Sequence, residues 1–148
     1  MRETGLAPDD LERFTAEVVR LAHSHGARVL VNSDLDLARK TGADGVHLKA
    51  AQLMALNARP DMEWCGASTH NTDELARAAE LGLDFAVLSP VKATQSHLDA
   101  SPLGWENFAA LSAGQPLPIY ALGGLSATDM GDAWHSGAHG IAMQRGAW

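Results

Sequence analysis

The chain of 148 residues is 46% hydrophobic and 20% charged, which is ordinary for one globular domain with a hydrophobic core. Its 18 acidic and 11 basic side chains give a formal net charge of −7 without a basic cluster, which argues against nucleic acid or a membrane surface as partner. Cys65 is the single cysteine and no segment reaches membrane-spanning length, so the composition excludes an internal disulfide and favours a cytoplasmic protein.

The predicted elements alternate between helix and strand along the chain. A helical pattern over 8–25 carries Leu11, Phe14, Val18 and Leu21 at steps of three and four residues. The remaining predicted elements follow in chain order: strands at 28–32, 42–48 and 64–68 (the weakest), a helix starting at Asn71, a strand at 82–88, a helix from Trp105, a strand at 118–122, a helix at 126–136 and a strand at 137–143.

Three of these strands share one motif. Segments 42–48, 82–88 and 137–143 each begin with a glycine directly after a helical pattern, where a left-handed cap is wanted, and then enter a short apolar run. Such runs are typical of strands that are buried on both faces of a parallel sheet. Asn71 and Glu74 have the spacing of a capping box, which predicts the start of the intervening helix.

Strand and helix thus alternate at least six times, which predicts an α/β fold with a parallel sheet. Two architectures compete, an open doubly wound sheet and a TIM (β/α)8-type barrel. No Gly-x-Gly-x-x-Gly turn follows the first predicted strand, which disfavours the dinucleotide-binding version of the open sheet.

Polar residues follow the predicted strands at the end where a barrel places its active site. Gly123 and Gly124 precede a helix, and Gln144 and Arg145 end the next strand, which predicts a phosphate site built from backbone N–H groups and a guanidinium. The alternative is a plain turn beside a surface arginine. The other polar positions at this end are Asn32, Ser68, Thr69, His70 and the 89–104 loop.

The 89–104 loop is long for a compact domain, and loops of this length often carry function. A solvated loop without a ligand is the alternative that its composition leaves open. Its hydrogen-bond donors suit a second anionic group, such as a leaving diphosphate, and they are Lys92, Thr94, Gln95, Ser96 and His97.

Among the histidines, His70 is the one placed for proton transfer, because it stands at a strand end after Ser68 and Thr69. A helix-capping or packing role for His70 is the alternative. His47 lies inside an apolar strand and is expected to be a core residue rather than a ligand, and the sequence supports no metal site. Cys65 has no paired base in the sequence, so a nucleophilic role is not expected.

Taken together, these motifs resemble the thiamine phosphate synthase family and its relatives, the thiazole tautomerases. "MRET" (1–4) is similar to the tail of the family's Gln-Leu-Arg-Glu-Lys segment on the second barrel strand. The other segments that carry the resemblance cover almost the whole chain in order: "VNSDLDLA" (31–38), "GADGVHL" (42–48), "GASTH" (66–70), "SPVKATQSHLDASPLG" (89–104), "PIYALGGL" (118–125) and "GIAMQRGA" (140–147).

In that family a thiazole phosphate displaces diphosphate from an aminopyrimidine methyl diphosphate, and Mg²⁺ neutralises the leaving diphosphate. The resemblance implies a set of residues that contact the pyrimidine substrate or its diphosphate, namely Arg2, Asn32, Ser68, Thr94 and Ser96. It also implies a set that holds the thiazole phosphate, namely Gly123, Gly124, Gln144 and Arg145.

The chain departs from the family at several functional positions. Ser33 and Gln52 stand where the family has two magnesium-binding aspartates, and neutral groups do not replace two carboxylates around Mg²⁺. Mg²⁺ is therefore expected for the family, but its ligands are degenerate here, which argues against ordinary synthase turnover. His97 stands where the family has a lysine, and we count it with His70 as a candidate catalytic residue.

Two further functions are open at this stage. The tautomerases need no metal and keep a histidine in the "GASTH" segment, so the resemblance implies that His70 shuttles a proton on a thiazole carboxylate phosphate. Domains of this kind are also found fused behind Nudix hydrolases, where the barrel would be a non-catalytic ligand-sensing or structural module.

The resemblance begins at the end of the second barrel strand. We therefore expect a single domain over 1–148, a TIM (β/α)8-type barrel that is incomplete at the N-terminus and has about six βα units. Such a sheet leaves parallel edges exposed, which predicts a homo-oligomer or association with a missing N-terminal portion. A Nudix fusion or an N-terminally truncated family member would account for such a chain.

Overall fold

The computed structural model of the chain describes residues 1, 3, 5–94 and 101–144. The helices are α1 (Pro8–Ser24), α2 (Leu35–Thr41), α3 (Ala50–Ala55), α4 (Thr72–Glu80), α5 (Gly104–Ser112) and α6 (Met130–His135), with a short 3₁₀ helix at Ala127–Asp129 directly before α6. The strands are β1 (Leu30–Asn32), β2 (Gly45–Leu48), β3 (Trp64–Thr69), β4 (Phe85–Leu88), β5 (Ile119–Ala121) and β6 (Gly140–Ile141).

The strands form one parallel sheet of six strands in the order β1-β2-β3-β4-β5-β6, so each strand pairs with its predecessor in the chain. A helix crosses between each pair of consecutive strands. The predicted α/β class with a parallel sheet is confirmed, and all six predicted strands are present among the described residues. The strand predicted as weakest, β3, is in fact the longest, with six residues.

One face of the sheet packs against the helices through small side chains. Ala67, Ala86 and Ala121 are fully buried on neighbouring strands, and their small size lets helices approach the sheet closely. Leu75 of α4 and Phe108 of α5 are also fully buried in this core. The main core therefore lies between the sheet and the helices, where burial of apolar surface stabilises the fold.

Rings line the opposite face of the sheet in a continuous row. The ring centroid of Phe85 lies 5.9 Å from that of His47 and 5.8 Å from that of Tyr120, and Tyr120 lies 5.4 Å from His139. These distances are typical of favourable aromatic contacts. Gly66 makes room for the row, because a Cβ there would come within 2.2 Å of the Phe85 ring.

The glycines of the repeated motif have the predicted conformation. Gly42, Gly82 and Gly137 have φ values of 69°, 65° and 83°, in the left-handed region that glycine adopts without a steric penalty. Each ends a helix and turns the chain into the next strand, which confirms the cap that the motif predicted.

The aspartate that follows two of these glycines clamps the sheet at its amino end. Asp44 Oδ2 accepts a hydrogen bond from Val29 N at 2.7 Å, and Asp84 Oδ2 accepts one from Cys65 N at 2.6 Å. In both cases the carboxylate satisfies an N–H at the start of the preceding strand. The third repeat has His139 instead of an aspartate, and its ring contacts Tyr120.

The buried side of α1 differs from the pattern that predicted the helix. Thr15 and Val19 are its buried residues, whereas Phe14 and Leu21 are 43% and 53% exposed. The Thr15 hydroxyl donates to Leu11 O at 2.7 Å, so a polar group can be buried there without an unmet hydrogen bond. Part of the apolar stripe of α1 therefore faces solvent.

Helices α2 and α3 were not located from the sequence. They have seven and six residues, which is too short for a helical period to show. Asp34 caps α2 by accepting from Leu37 N at 2.9 Å, and Gln52 closes the start of α3 by accepting from Lys49 N at 3.1 Å.

The sheet continues beyond β1 into the first residue of the chain. Asn32 N donates to Met1 O at 2.9 Å, and the Met1 amino group donates to Leu30 O, which is the ladder expected of one more parallel neighbour.

At the other end of the sheet, Trp134 of α6 is 63% exposed. In the part of the chain that the structure describes, every helix is too short or too polar to cross a membrane.

Candidate functional site

Two predicted site residues, Asn32 and Ser68, lie toward the carboxyl ends of β1 and β3, on either side of His47 in β2. The strand register places Asn32 opposite His47. His47 Nε2 in turn lies 3.0 Å from Ser68 Oγ, which is a hydrogen bond between adjacent strands. The structure thus places Asn32 and Ser68 on the two strands that flank His47, the histidine that the sequence assigned to the core.

His47 is a neutral hydrogen-bonding group at physiological pH. Burial of its ring, with a smaller contribution from the Met1 ammonium, lowers the pKa of His47 to about 4. A neutral imidazole has one donor and one acceptor nitrogen, so it can orient the Ser68 hydroxyl without adding charge to the site.

The turn after β1 is held in an uncommon conformation. Ser33 has a φ of 69°, the left-handed region that non-glycine residues rarely enter, and its N–H donates to His47 O at 2.9 Å. Asn32 Nδ2 donates to Ser33 Oγ at 3.0 Å. The strain of Ser33 is therefore offset by contacts that also orient the Asn32 side chain.

The two positions that the resemblance assigned to magnesium ligands are adjacent but neutral. Gln52 Nε2 donates to Ser33 O at 2.9 Å, so an amide joins the turns after β1 and β2. Asp34, the nearest carboxylate in sequence, caps α2 at Leu37. Within residues 1, 3, 5–94 and 101–144, no group of three His, Cys, Asp or Glu side chains could hold a metal ion. The residues present do not fit Mg²⁺, which prefers charged oxygen ligands.

His70 at the end of β3 is paired with a carboxylate. Its Nδ1 lies 3.0 Å from Glu74 Oε2, and the same oxygen accepts from His70 N at 2.6 Å. The predicted capping box is half right, because Asn71 Oδ1 accepts from Glu74 N at 2.9 Å while the Glu74 side chain turns to His70. The His70 side chain is 49% exposed, so an oriented imidazole is accessible at this edge.

The start of the 89–104 loop extends the sheet toward the turn after β5. Val91 N donates to Leu122 O at 2.9 Å, and Lys92 N donates to Gly123 O at 3.0 Å. Val91 is almost fully buried, so this part of the loop is packed rather than solvated. The two alternatives drawn from its composition, a loop that binds an anionic group and a solvated loop without a ligand, stay predictions.

Close backbone approach explains the glycine pair of the predicted phosphate site. A Cβ on Gly123 would lie 2.7 Å from Pro90 Cα, and one on Gly124 would lie 2.4 Å from Ala93 O. Both glycines also have positive φ values, 108° and 64°. They therefore have a packing reason to be glycine, whether or not their N–H groups also bind phosphate.

The Lys92 ammonium, predicted as a donor to an anionic ligand, is bound within the protein. Its Nζ lies 2.6 Å from Asp129 Oδ1, and Asp129 Oδ2 accepts from Ser126 N at 2.8 Å. The Lys92 contact, followed by the Ser126 N–H, holds the pKa of Asp129 below its usual range. The N–H that begins the 3₁₀ helix is thus already satisfied by a side chain.

The other predicted site residues are distributed as follows. Thr94 is partly buried in the described part of the loop, and Gln144 is exposed after β6. Cys65 is buried in β3, and burial raises the pKa of its thiol, as expected for an unreactive cysteine. Arg2, Ser96, His97 and Arg145 lie outside the described residues, so their assignments stay predictions.

Sequence reasoning placed Asp129 at the start of a helix, but it missed the ion pair of Asp129 with Lys92, the pairing of Glu74 with His70 and the contacts of Gln52. A glutamate four residues after His70 at a helix start is a local signal that could have indicated the pair. Asp129 stands three residues after Ser126, which is the spacing of a capping box. Its contact with Lys92 spans 37 residues and has no local signal.

A family model described as thiamine monophosphate synthase matches residues 1–147 of the chain. The chain belongs to this family. The match extends over every element that forms the sheet, so the resemblance that rested on separate motifs is confirmed for the chain as a whole.

Members of the thiamine monophosphate synthase family match most of the chain in sequence. It is 36% identical over 147 residues to the thiamine-phosphate synthase of Methanoculleus marisnigri, covering 97% of this chain and 70% of that protein. It is 32% identical over 145 residues to the putative thiamine-phosphate synthase 2 of Aquifex aeolicus, covering 96% of this chain and 77% of that protein.

The fold agrees with a solved structure, the thiamine phosphate pyrophosphorylase from Pyrococcus furiosus. The two superpose with a TM-score of 0.77 at 24% identity, over 95% of this chain and 69% of that chain. This likeness confirms the predicted barrel-type α/β fold.

The pKa of His47 generates a prediction about acid stability. Unfolding returns the pKa to about 6.5, so the unfolded chain binds a proton first, and the folded state should lose on the order of 2 kcal/mol of unfolding free energy as pH falls from 6.5 toward 4. Urea unfolding at several pH values measures this loss. His47→Gln should remove most of it, because an amide keeps a hydrogen bond to Ser68 but does not titrate.

The matched control is His135→Gln, an exposed histidine whose ring contacts its own helix. This variant should keep the wild-type pH dependence. The same dependence in His47→Gln would show that His47 is not the group responsible. Asp44 and Asp129 should not produce the same pH dependence, because the fold lowers their pKa values. Their contribution to the unfolding free energy is therefore lost only in more acidic solution.

Proposed function

We propose that this domain of the thiamine monophosphate synthase family binds thiazole phosphate or thiamine phosphate, together with an aminopyrimidine diphosphate, at the carboxyl edge of its sheet and without a metal ion. The observation that carries the proposal is the hydrogen bond between His47 and Ser68, with Asn32 opposite His47 at that edge, in a chain of this family. Parallel α/β sheets bind ligands at this edge as a rule.

Local donors would hold the ligand, because the overall charge of −7 repels anions. The Asn32 amide and the Ser68 hydroxyl are polar groups that a pyrimidine or an anion can contact, and neutral His47 adds no charge. Backbone N–H groups at Gly123 and Gly124 are the proposed phosphate donors. Arg145 and Arg2, by their predicted positions, would add the positive charge.

The neutral side chains of Ser33 and Gln52, at the two positions that the resemblance assigns to magnesium ligands, support binding over ordinary synthase turnover. Departure of diphosphate from the pyrimidine needs its growing negative charge to be neutralised. Ser33 and Gln52 are neutral and already hydrogen bonded to each other, so they supply no such charge. We therefore propose ligand binding as the retained property of this face, with no step that uses Mg²⁺.

A metal-independent thiazole tautomerase is the second candidate, favoured by the pairing of His70 with Glu74. A carboxylate on Nδ1 orients the imidazole, which is what a residue that accepts and returns a proton requires. Nε2 would then face the substrate. This reaction needs no metal, in agreement with the neutral residues at Ser33 and Gln52.

Association of the domain is the third proposal. Met1 continues the ladder at β1, and Phe14 and Leu21 of α1 expose apolar surface. Burial of such surface would be favourable, so we propose that a second copy of the chain covers it. Fusion to a Nudix hydrolase, a ligand-sensing role and a cytoplasmic location stay predictions.

Titration calorimetry with thiamine phosphate tests the binding proposal. We expect saturable binding with the same affinity in EDTA and in Mg²⁺, since no described group favours the metal. Asn32→Ala and Ser68→Ala should each weaken binding about tenfold by removing a hydrogen bond. Ser112→Ala is the control, because that hydroxyl bonds within α5. Binding that requires Mg²⁺, or no saturable binding by a folded sample, contradicts the proposal.

Turnover of a thiazole carboxylate phosphate without metal tests the tautomerase candidate. Both His70→Ala and Glu74→Gln should lower kcat, but only Glu74→Gln should keep part of the activity, because its histidine remains although the carboxylate that orients the ring is gone. Arg77→Gln, on the same helix, is the control. Unchanged kcat in His70→Ala would exclude this mechanism.

Analytical ultracentrifugation, which measures the mass of the sedimenting species, tests the association proposal. The protein should sediment as a species larger than 15.7 kDa, and Phe14→Ser with Leu21→Ser should shift it toward the monomer by removing apolar contact area. A well-folded monomer of the wild-type chain would contradict the proposal.

A further inference from the structure

We propose that Lys92 and Asp129 are positioning residues that lock the start of the 89–104 loop onto the turn after β5, so that the two proposed ligand-binding loops move as one unit. Their ion pair, the Lys92–Asp129 latch, joins segments separated by 37 residues in the chain. The inference rests in part on the proposed function, but the latch itself can be tested without a ligand.

The first support is the geometry of the ion pair. Lys92 Nζ and Asp129 Oδ1 are 2.6 Å apart, and the Asp129 side chain is only 11% exposed. A partly desolvated carboxylate is destabilised unless it is paired, and the Lys92 side chain, which is 45% exposed, supplies that partner from the solvent side. The second oxygen of Asp129 accepts from Ser126 N and Oγ, which fixes the carboxylate to the start of the 3₁₀ helix.

The second support is the backbone contact beneath the latch. Two hydrogen bonds, from Val91 N to Leu122 O and from Lys92 N to Gly123 O, run between the same two segments. The loop is also closed on itself, because Gly104 N donates to Val91 O at 2.9 Å. The latch therefore adds a side-chain contact to a junction where the backbones already meet.

The third support is the lack of space at the junction. Gly123 and Gly124 approach Pro90 and Ala93 so closely that a Cβ on either would clash with backbone atoms. A junction packed this tightly does not deform gradually, so displacement of the loop should displace the glycine turn as well. Thr94, two residues after Lys92, would then be held at a defined distance from Gly124.

The latch makes a prediction opposite to that of a ligand-binding lysine. If Lys92 positions the loop through Asp129, then cutting the pair from either side has the same effect, and cutting both sides adds nothing. If Lys92 instead binds an anion directly, then Asp129→Asn releases the ammonium and binding becomes tighter or stays unchanged.

The experiment uses Lys92→Met, Asp129→Asn and the double variant. Met keeps the length of the side chain, and Asn keeps an oxygen for the Ser126 N–H, so each removes charge with little other change. Calorimetry with thiamine phosphate should give about the same fivefold loss of affinity for all three. Lys92→Arg should restore binding, and Lys40→Met, in the exposed Lys40–Glu12 pair, should leave it unchanged.

Amide hydrogen exchange gives a readout that needs no ligand. The amides of Lys92 and Gly104 should exchange about fivefold faster in Lys92→Met and in Asp129→Asn, and at the wild-type rate in Lys92→Arg. If the wild-type protein binds no thiamine phosphate, the binding proposal fails and exchange alone decides the latch. Unchanged exchange, or unchanged or tighter binding of thiamine phosphate by Asp129→Asn, would overturn the inference.

Discussion

The parallel register of the six strands is the constraint on which every candidate functional position depends. Asp44 and Asp84 fix where two strands begin by binding an N–H of the neighbouring strand. The same register determines which residues are neighbours at the other end of these strands, where Asn32 lies opposite His47. The carboxylates at the amino edge therefore help to determine the contact between His47 and Ser68 at the carboxyl edge, because both depend on the same strand register. A register slip of one residue would turn His47 to the opposite face.

Much of this arrangement could be read from the sequence, because the strongest signals are local. A glycine after a helical pattern and before an apolar run located three strands, and their left-handed φ values follow from the absence of a Cβ. The polar residues at the carboxyl edge followed from the parallel order of those strands. Family motifs then indicated which of these residues belong to a site.

Other features could not be predicted, for physical reasons that differ between them. The periodicity of α1 shows which residues are apolar but not how much neighbouring structure covers them, so Phe14 proved to be exposed. The helix α3 is too short to show a period. The contact of Lys92 with Asp129 depends on the tertiary approach of two loops. The charge of Lys92 alone could not show whether it pairs with a carboxylate of the protein or binds an anionic ligand.

The neutral residues Ser33 and Gln52 are hydrogen bonded within the protein. The Gln52 amide satisfies both Ser33 O and Lys49 N, so it ties together two turns that end neighbouring strands. Loss of two carboxylates would otherwise leave polar backbone groups without partners near the edge. The neutral Gln52 side chain thus holds the turns after β1 and β2 together without placing a carboxylate at the carboxyl edge of the sheet.

The close approach of Gly123 and Gly124 to Pro90 and Ala93 has a consequence for how such a domain can change. Loops on a parallel scaffold are usually regarded as independent parts that recombine or diversify one at a time. Here the loop after β4 and the turn after β5 share backbone hydrogen bonds and leave no space for a side chain between them. New binding specificity would therefore arise by exchanging the two segments together, as one inherited module.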